Sequence, residues 1–227
     1  MTIIQIETAT TVCSVALSQN GQVVAVKELN ERNIHAEVIT LYIDDLLKQT
    51  NLTYTDVDAV AVSSGPGSYT GLRIGVSTAK GLCFALDKPL IAVQTLAAMA
   101  QGMIESSSIA PGALLCPMID ARRMEVYTAL FTADGSEVKS TSAEIIDENS
   151  FADYLKNNSI VFFGDGAEKC REMLGGNPNA VFVTNFLNSA THISKQAADK
   201  FAKGQFEDVA YFEPFYLKDF LVTQKKV

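Results

Sequence analysis

The residues of this chain best placed to do chemistry lie in one glycine-rich run, Ser63-Ser64-Gly65-Pro66-Gly67-Ser68-Tyr69-Thr70-Gly71-Leu72-Arg73-Ile74-Gly75. It follows the apolar, β-branched stretch Asp58-Ala59-Val60-Ala61-Val62 and precedes a helical pattern reaching about Ala85, so it reads as strand, tight turn and helix. Backbone N–H groups at such a turn stand at a helix start beside the positive end of its dipole. Gly65, Gly67 and Ser68 are therefore a candidate anion-binding turn. A nucleotide P-loop would place Gly-Lys-Ser/Thr at the helix start, and Gly71-Leu72-Arg73 stands there instead. A tight turn closing against its own sheet accounts for the glycines more simply.

Other chemistry is sparse. His35 and His192 are the only histidines, so no His-x-x-x-His or His-Glu-x-x-His metal site can be written; His35, at the start of a helical pattern, reads as a capping or surface residue. Cys13, Cys83, Cys116 and Cys170 are scattered, without a Cys-x-x-Cys pair, and read as buried, reduced thiols. In Asp120-Ala121-Arg122-Arg123-Met124-Glu125 the two arginines could meet a nucleic-acid phosphate or a partner's carboxylate. Pairing with the adjacent Asp120 and Glu125 at the surface is the simpler reading. No metal and no cofactor is expected.

Composition narrows the classes further. With 227 residues and 48% hydrophobic content the chain can bury a sizeable core in one large domain or two small ones. The formal charge of −8 argues against strong, independent binding to nucleic acid, so any role with RNA is expected to be shared with a partner. No apolar run approaches the ~20 residues of a membrane span, and Met1-Thr2-Ile3-Ile4-Gln5-Ile6 has no signal-peptide pattern. The expected location is cytoplasmic, with no membrane partner.

The elements that position these residues follow from periodicity. Ile3–Thr8, Val12–Ser18 and Gln22–Leu29 read as three antiparallel strands, the last two joined by an Asn20-Gly21 hairpin turn. From about Ile34 to Lys48 the pattern is helical. Ile39, Ile43, Leu46 and Leu47 suffice to face a sheet, which leaves Val38, Leu41 and Tyr42 on a neighbouring apolar face that needs a second surface. The helix after the glycine-rich turn carries Gly71, Gly75, Ala79 and Cys83 at four-residue spacing, a face nearly bare of side chains. Interior glycine costs about 1 kcal/mol relative to alanine, so close packing must offset it, either within this chain or against another. Val38, Leu41, Tyr42, Gly71, Gly75 and Ala79 are thus the candidate partner or dimer interface.

A strand at Leu90–Val93 and a helix from Thr95, a plausible cap, to Glu105 complete a βββαβαβα order, and Ser106-Ser107-Ser108 with Pro111-Gly112 marks a boundary. The expected fold class is α/β, a two-lobed actin/hexokinase/sugar-kinase-like fold. Residues 1–105 form the first lobe, which carries the partner interface. Residues 106–227 form a smaller second lobe, repeating the element order in shortened form, with the aromatic segment Tyr211–Leu217 docking back on the body.

Several motifs taken together resemble one family: Glu7-Thr8-Ala9-Thr10, Cys13-Ser14-Val15-Ala16-Leu17, His35-Ala36-Glu37, the run Gly65–Gly75, and Asp120-Ala121-Arg122-Arg123-x-Glu125-Val126-Tyr127. The chain is identified on these as a member of the TsaB family, which is required for making threonylcarbamoyladenosine in tRNA. The likeness covers the first ~130 residues closely; beyond them it rests on length and on Tyr216-Leu217-Lys218, where the family usually shows arginine at the last position. The resemblance implies a non-catalytic scaffold for a TsaD-like catalytic paralogue, joined by a TsaE-like ATPase, with tRNA engaged indirectly through the complex and a homodimer on the same surface when the paralogue is absent. It also implies why histidines are missing. Thr95 and Met99 stand where the paralogue carries its metal-binding His-x-x-x-His pair. Glu7 stands where related ATPases carry an acidic residue at the end of the first strand.

Two other classes are compatible with the same fold. One is an enzyme of the superfamily, a small-molecule kinase or a glycoprotease-like peptidase, with Glu7 or Asp120 as the acidic group. The other is a nucleotide-binding module without catalysis. The missing histidines count against the first and the missing P-loop lysine against the second.

Overall fold

The computed structural model describes residues 1–218. Asn20 and Gly21 take φ of 50° and 81°, the left-handed pair that a two-residue hairpin requires. They join β2 (Val12–Gln19) to β3 (Gln22–Asn30). β1 (Thr2–Glu7) pairs antiparallel with β2 and parallel with β4 (Ala59–Ser63), which pairs parallel with β5 (Leu90–Val93). The resulting strand order is β3-β2-β1-β4-β5. Every residue of β1 and β4 is buried, as expected where a sheet is covered on both faces.

The second sheet is built from β6 (Leu114–Asp120), β7 (Glu125–Thr132), β8 (Glu137–Ile145), β9 (Ile160–Phe163) and β10 (Ala180–Phe182). Its order, β10-β9-β6-β7-β8, is the first sheet's order read from the other edge, with the same parallel and antiparallel pairings. The two lobes are thus twins in topology. Their helices differ in size. The first sheet carries α1 (His35–Gln49), α2 (Tyr69–Leu86) and α3 (Thr95–Ser106). The second has only the single turns α4 (Ala152–Leu155) and α5 (Arg171–Leu174) before α6 (Ser194–Ala202).

Packing crosses between the lobes. Leu96, Met99, Ala100 and Met103 of α3 pack with Leu115, Ile119, Ala129, Phe131 and Phe163 of the second sheet. Ala197 of α6 returns to Ile3, Ala61, Ile91 and Val93 of the first. The C-terminal segment does the same: Glu207 N–H donates to Leu90 O (2.9 Å), Phe215 N–H to Ser64 O (2.7 Å), and Lys80 Nζ donates to Phe212 O (2.9 Å). Among the described residues no helix is long and apolar enough to cross a membrane. One sequence expectation needs correction here. The N-cap of α3 is Gln94, without a side-chain cap bond, and Thr95 is the first helical residue, its hydroxyl turned to another use.

Candidate functional site

The glycine-rich turn between β4 and α2 is occupied by its own chain. Gly65 N–H donates to Thr95 Oγ1 (3.1 Å), Ser68 N–H to Ala9 O (2.7 Å), and Gly71 N–H to the capping Ser68 Oγ (3.3 Å). A Cβ on Gly67 would lie 2.5 Å from Ala9 O, and one on Gly65, at φ +110°, 2.5 Å from Phe215 O. Glycine is needed here because two other segments enter the turn. Of the candidate anion-binding turn Gly65, Gly67 and Ser68, the donors of Gly65 and Ser68 are satisfied within the chain and are not offered to an anion.

The bare face of α2 is likewise filled. A Cβ on Gly71 would lie 2.1 Å from Thr8 O, and one on Gly75 2.2 Å from Thr8 Oγ1. Ala79 and Cys83 are buried in the core that also holds Ile39, Ile43 and Val60. Gly71, Gly75 and Ala79 therefore let α2 approach the end of β1 instead of offering a bare surface to a second chain. Of the other interface candidates, Leu41 is 60% exposed, while Val38 and Tyr42 are half-buried against the same core. Ile74 and Leu82 of α2 are half-buried there too, and α1 packs beside α2. What remains open to a partner is the outer side of this helix pair.

Glu7, at the end of β1, is 1% exposed. Burial raises its pKa from an ordinary 4.5 to about 7, against the opposing hydrogen bonds from Ala9 N–H (2.6 Å) and Ser63 Oγ (3.0 Å). The buried Asn188 lies near it, and among the described residues neither its Nδ2 nor the adjacent Thr8 Oγ1 has a full hydrogen-bond partner. The segment after Asn188 closes the seam between the lobes: Ala190 N–H donates to Ser14 Oγ (2.9 Å) and Ser189 Oγ to Glu28 (2.8 Å). A near-neutral carboxyl is a usable acid or base only where substrate reaches it. This one is sealed.

The positions at which a histidine pair would bind metal serve packing. Thr95 Oγ1 accepts the Gly65 N–H, and Met99 is buried with its Cε 2.6 Å from where a Cβ on Gly164 would sit. Neither side chain presents an imidazole-like ligand, so the residues do not fit a metal of that kind. Among the described residues no group of three His, Cys, Asp or Glu could hold a metal ion. His35 is buried, with Nε2 3.2 Å from Val12 O, which corrects its reading as a cap or surface residue. His192 stacks on Phe186 (5.3 Å) and fits against Gly102, and burial lowers its pKa. All four cysteines are free and buried, and burial pushes Cys13 and Cys83 up to about 11.

The Asp120–Glu125 turn departs from the simpler sequence reading. Asp120 pairs with Lys169 and Glu125 with Lys218, so neither carboxylate is taken by Arg122 or Arg123. Lys169 Nζ also donates to Arg123 O (2.8 Å) and Glu125 O (2.7 Å), and Arg122 N–H donates to Asp120 Oδ1 (2.9 Å). These bonds hold both arginines in the left-handed region, at φ 71° and 49°, a conformation costly for residues with a Cβ. Lys169 could not have been found from local sequence, since it lies 49 residues from Asp120. Thr8 was legible only as part of a motif; its role as the floor beneath two glycines needed the packing.

Twin sheets of order 3-2-1-4-5 with a helix shared between them define a two-lobed α/β protein of the actin/hexokinase/sugar-kinase class. Comparison with known proteins narrows this class. Residues 22–222 match the family model described as TsaD: tRNA N6-adenosine threonylcarbamoyltransferase. The chain is 39% identical to the tRNA threonylcarbamoyladenosine biosynthesis protein TsaB of Haemophilus influenzae, over 100% of this chain and 97% of that one. It is 32% identical to the protein of the same name from Escherichia coli, over 99% and 98%. The solved structure of YeaZ from Pseudomonas aeruginosa superposes with a TM-score of 0.81 at 27% identity, covering 95% of this chain and 99% of that chain. The chain belongs to the TsaB family.

Proposed function

We propose that this chain is the non-catalytic subunit that holds a TsaD-type transferase in its active arrangement. The reaction served is formation of the threonylcarbamoyl group on the adenosine next to the anticodon of tRNAs that read codons beginning with A. The observation that carries the reading is the near-full-length likeness to two proteins named for threonylcarbamoyladenosine biosynthesis. The match to the TsaD family model supports descent of chain and partner from one ancestor. That Thr95 and Met99 are engaged in packing supports a scaffold in place of a second transferase.

The partner surface in this reading is the outer side of α1 and α2, with Leu41 at its centre and Val38 and Tyr42 beside it. Gly71, Gly75 and Ala79 contribute from beneath by fixing how deeply α2 sits. The same surface closes a homodimer when the transferase is absent, and a TsaE-type ATPase joins the heteromer. The test is reconstitution of tRNA threonylcarbamoylation from the transferase, the ATPase and the threonylcarbamoyl-adenylate synthase, with and without this chain. Activity only in its presence is expected. Equal activity without it overturns the proposal.

A further inference from the structure

The arginine turn belongs to a longer feature. Arg73 of α2 lies over the ring of Tyr69 (5.4 Å) and Tyr69 against Tyr216 (4.9 Å); two residues on, Lys218 lies over Tyr127 of β7 (5.9 Å). Arg122 acts electrostatically on that same Tyr127, and Arg123 follows it. Cations and aromatic rings are thus interleaved along a strip that starts on the first lobe, crosses on the C-terminal segment and ends on the second. The carboxylates beside it among the described residues are Glu125, paired with Lys218, Asp120, paired with Lys169, and Glu213, close to Tyr216. On a chain of net charge −8 this is a local reversal of sign, and among the described residues neither Arg122 nor Arg123 forms an ion pair with a carboxylate.

We propose that this strip, from Arg73 through Tyr69, Tyr216, Lys218 and Tyr127 to Arg122 and Arg123, is a contact surface for a strand of RNA. Guanidinium groups, with five donors in a rigid fork, meet phosphates, and the tyrosine rings between them offer faces on which unpaired bases stack. An acidic protein segment would need the cations but would have no use for the rings between them. The choice of RNA also rests on the tRNA-modification role proposed above. Arg122 and Arg123 are held in left-handed backbone while Asp120 pairs with Lys169 and Glu125 with Lys218, and Lys169 braces the turn through Arg123 O and Glu125 O. Because the strip spans both lobes, one strand would touch both. A chain expected to meet tRNA only through its partner would then contribute contacts of its own.

The test is fluorescence anisotropy with a labelled, unmodified tRNA transcript, using the full chain alone and mixed with a TsaD-type transferase, between about 50 and 200 mM salt. Each phosphate contact contributes about 0.7–0.9 to the slope of log affinity against log salt. Arg122→Gly/Arg123→Gly, which also relieves the left-handed backbone and so keeps the fold, is expected to flatten the slope by about 1.4–1.8 and to weaken binding at least roughly tenfold at the low-salt end. Arg122→Lys/Arg123→Lys should retain the slope. Tyr216→Ala should weaken binding roughly tenfold with the slope unchanged, the signature of stacking. Arg32→Ala/Lys203→Ala, exposed cations outside the strip, is the control for net charge.

A slope in the glycine variant equal to that of the wild type or the control overturns the proposal, as does absence of tRNA binding by the wild-type chain in both arms. Loss of transferase association by the glycine variant with an unchanged tRNA slope would make the occupant an acidic protein surface, and also overturns it. Should the wild-type chain fail to associate with the transferase while the slope still flattens, the scaffold reading fails and the RNA surface stands.

Discussion

Replacing Gly75 by alanine puts a methyl carbon 2.2 Å from Thr8 Oγ1, 3.3 Å from Thr8 Cβ and 3.4 Å from Cγ2. Overpacking of a filled site costs about 1–3 kcal/mol, and so short an approach belongs at the upper end. Alanine in place of an interior helical glycine returns about 1 kcal/mol. The net loss is about 2 kcal/mol, or roughly 4–8 °C in Tm for a chain of this size. Thr8→Ala removes Oγ1, the one atom in severe conflict, together with Cγ2, and leaves Cβ at 3.3 Å; the hydroxyl lost is buried and has no hydrogen-bond partner among the described residues. In that background Gly75→Ala should be neutral or stabilising. Gly71→Ala is the contrast, because its methyl meets Thr8 O at 2.1 Å, a backbone atom that Thr8→Ala leaves in place. Urea unfolding followed by circular dichroism, with midpoint and slope both fitted, measures the four variants. Equal rescue of Gly71→Ala and Gly75→Ala, or a Gly75→Ala protein as stable as the wild type, refutes the view that this glycine face is closed by its own chain.

Glu7 binds its proton more tightly folded, at a pKa of about 7, than at its ordinary 4.5, so the stability it contributes is greatest below about pH 4.5 and falls as pH rises to about 7, by up to about 3 kcal/mol. Glu7→Gln should remove that slope and be the more stable protein at pH 8; a pH profile unchanged by the substitution would contradict the assignment. Lys169→Met should cost about 1–3 kcal/mol and speed hydrogen exchange in the 121–125 turn, because three acceptors lose their donor; protection left intact there counts against Lys169 as the brace. Leu41→Asp should leave stability within about 0.5 kcal/mol, as for an exposed position, yet abolish association with a TsaD-type transferase. Size-exclusion chromatography decides it, and undiminished association moves the interface elsewhere.

Much of the scaffold was legible because its signals are local. Alternation and the Asn20-Gly21 turn gave the opening hairpin, and apolar periodicity gave α1 and the end of α2 nearly to the residue. The element order of the second lobe was legible as a shortened repeat of the first, and its strand order, with helices shrunk to single turns, came from the structure. The site was less legible because its determinants are pairings across the chain. A four-residue run of small side chains on α2 announces a close approach without saying to what. The answer, Thr8, lies more than sixty residues earlier. Adjacent opposite charges in Asp120-Ala121-Arg122-Arg123-x-Glu125 suggested local ion pairs, but left-handed backbone at both arginines and competition from Lys169 and Lys218 decide otherwise.

Those glycines point to one physical conclusion about how this fold serves a scaffold. Gly67 admits Ala9, Gly65 admits Phe215, Gly71 and Gly75 admit Thr8, Gly102 admits the His192 ring, and Gly164 admits Met99. In each case the missing side chain is replaced by a segment distant in sequence, and most of these sites lie at the turn, the shared helix α3 or the seam between the sheets. A crevice that opens and closes around a ligand needs its walls free of such insertions. Here they are interlocked, the backbone donors of Gly65 and Ser68 are satisfied, and Glu7 is closed over by the chain that follows Asn188. Interlocking fills the cleft with the chain's own segments and ties the two lobes together. Rigidity is what a chain needs if its outer helix pair is to fix the arrangement of a second protein.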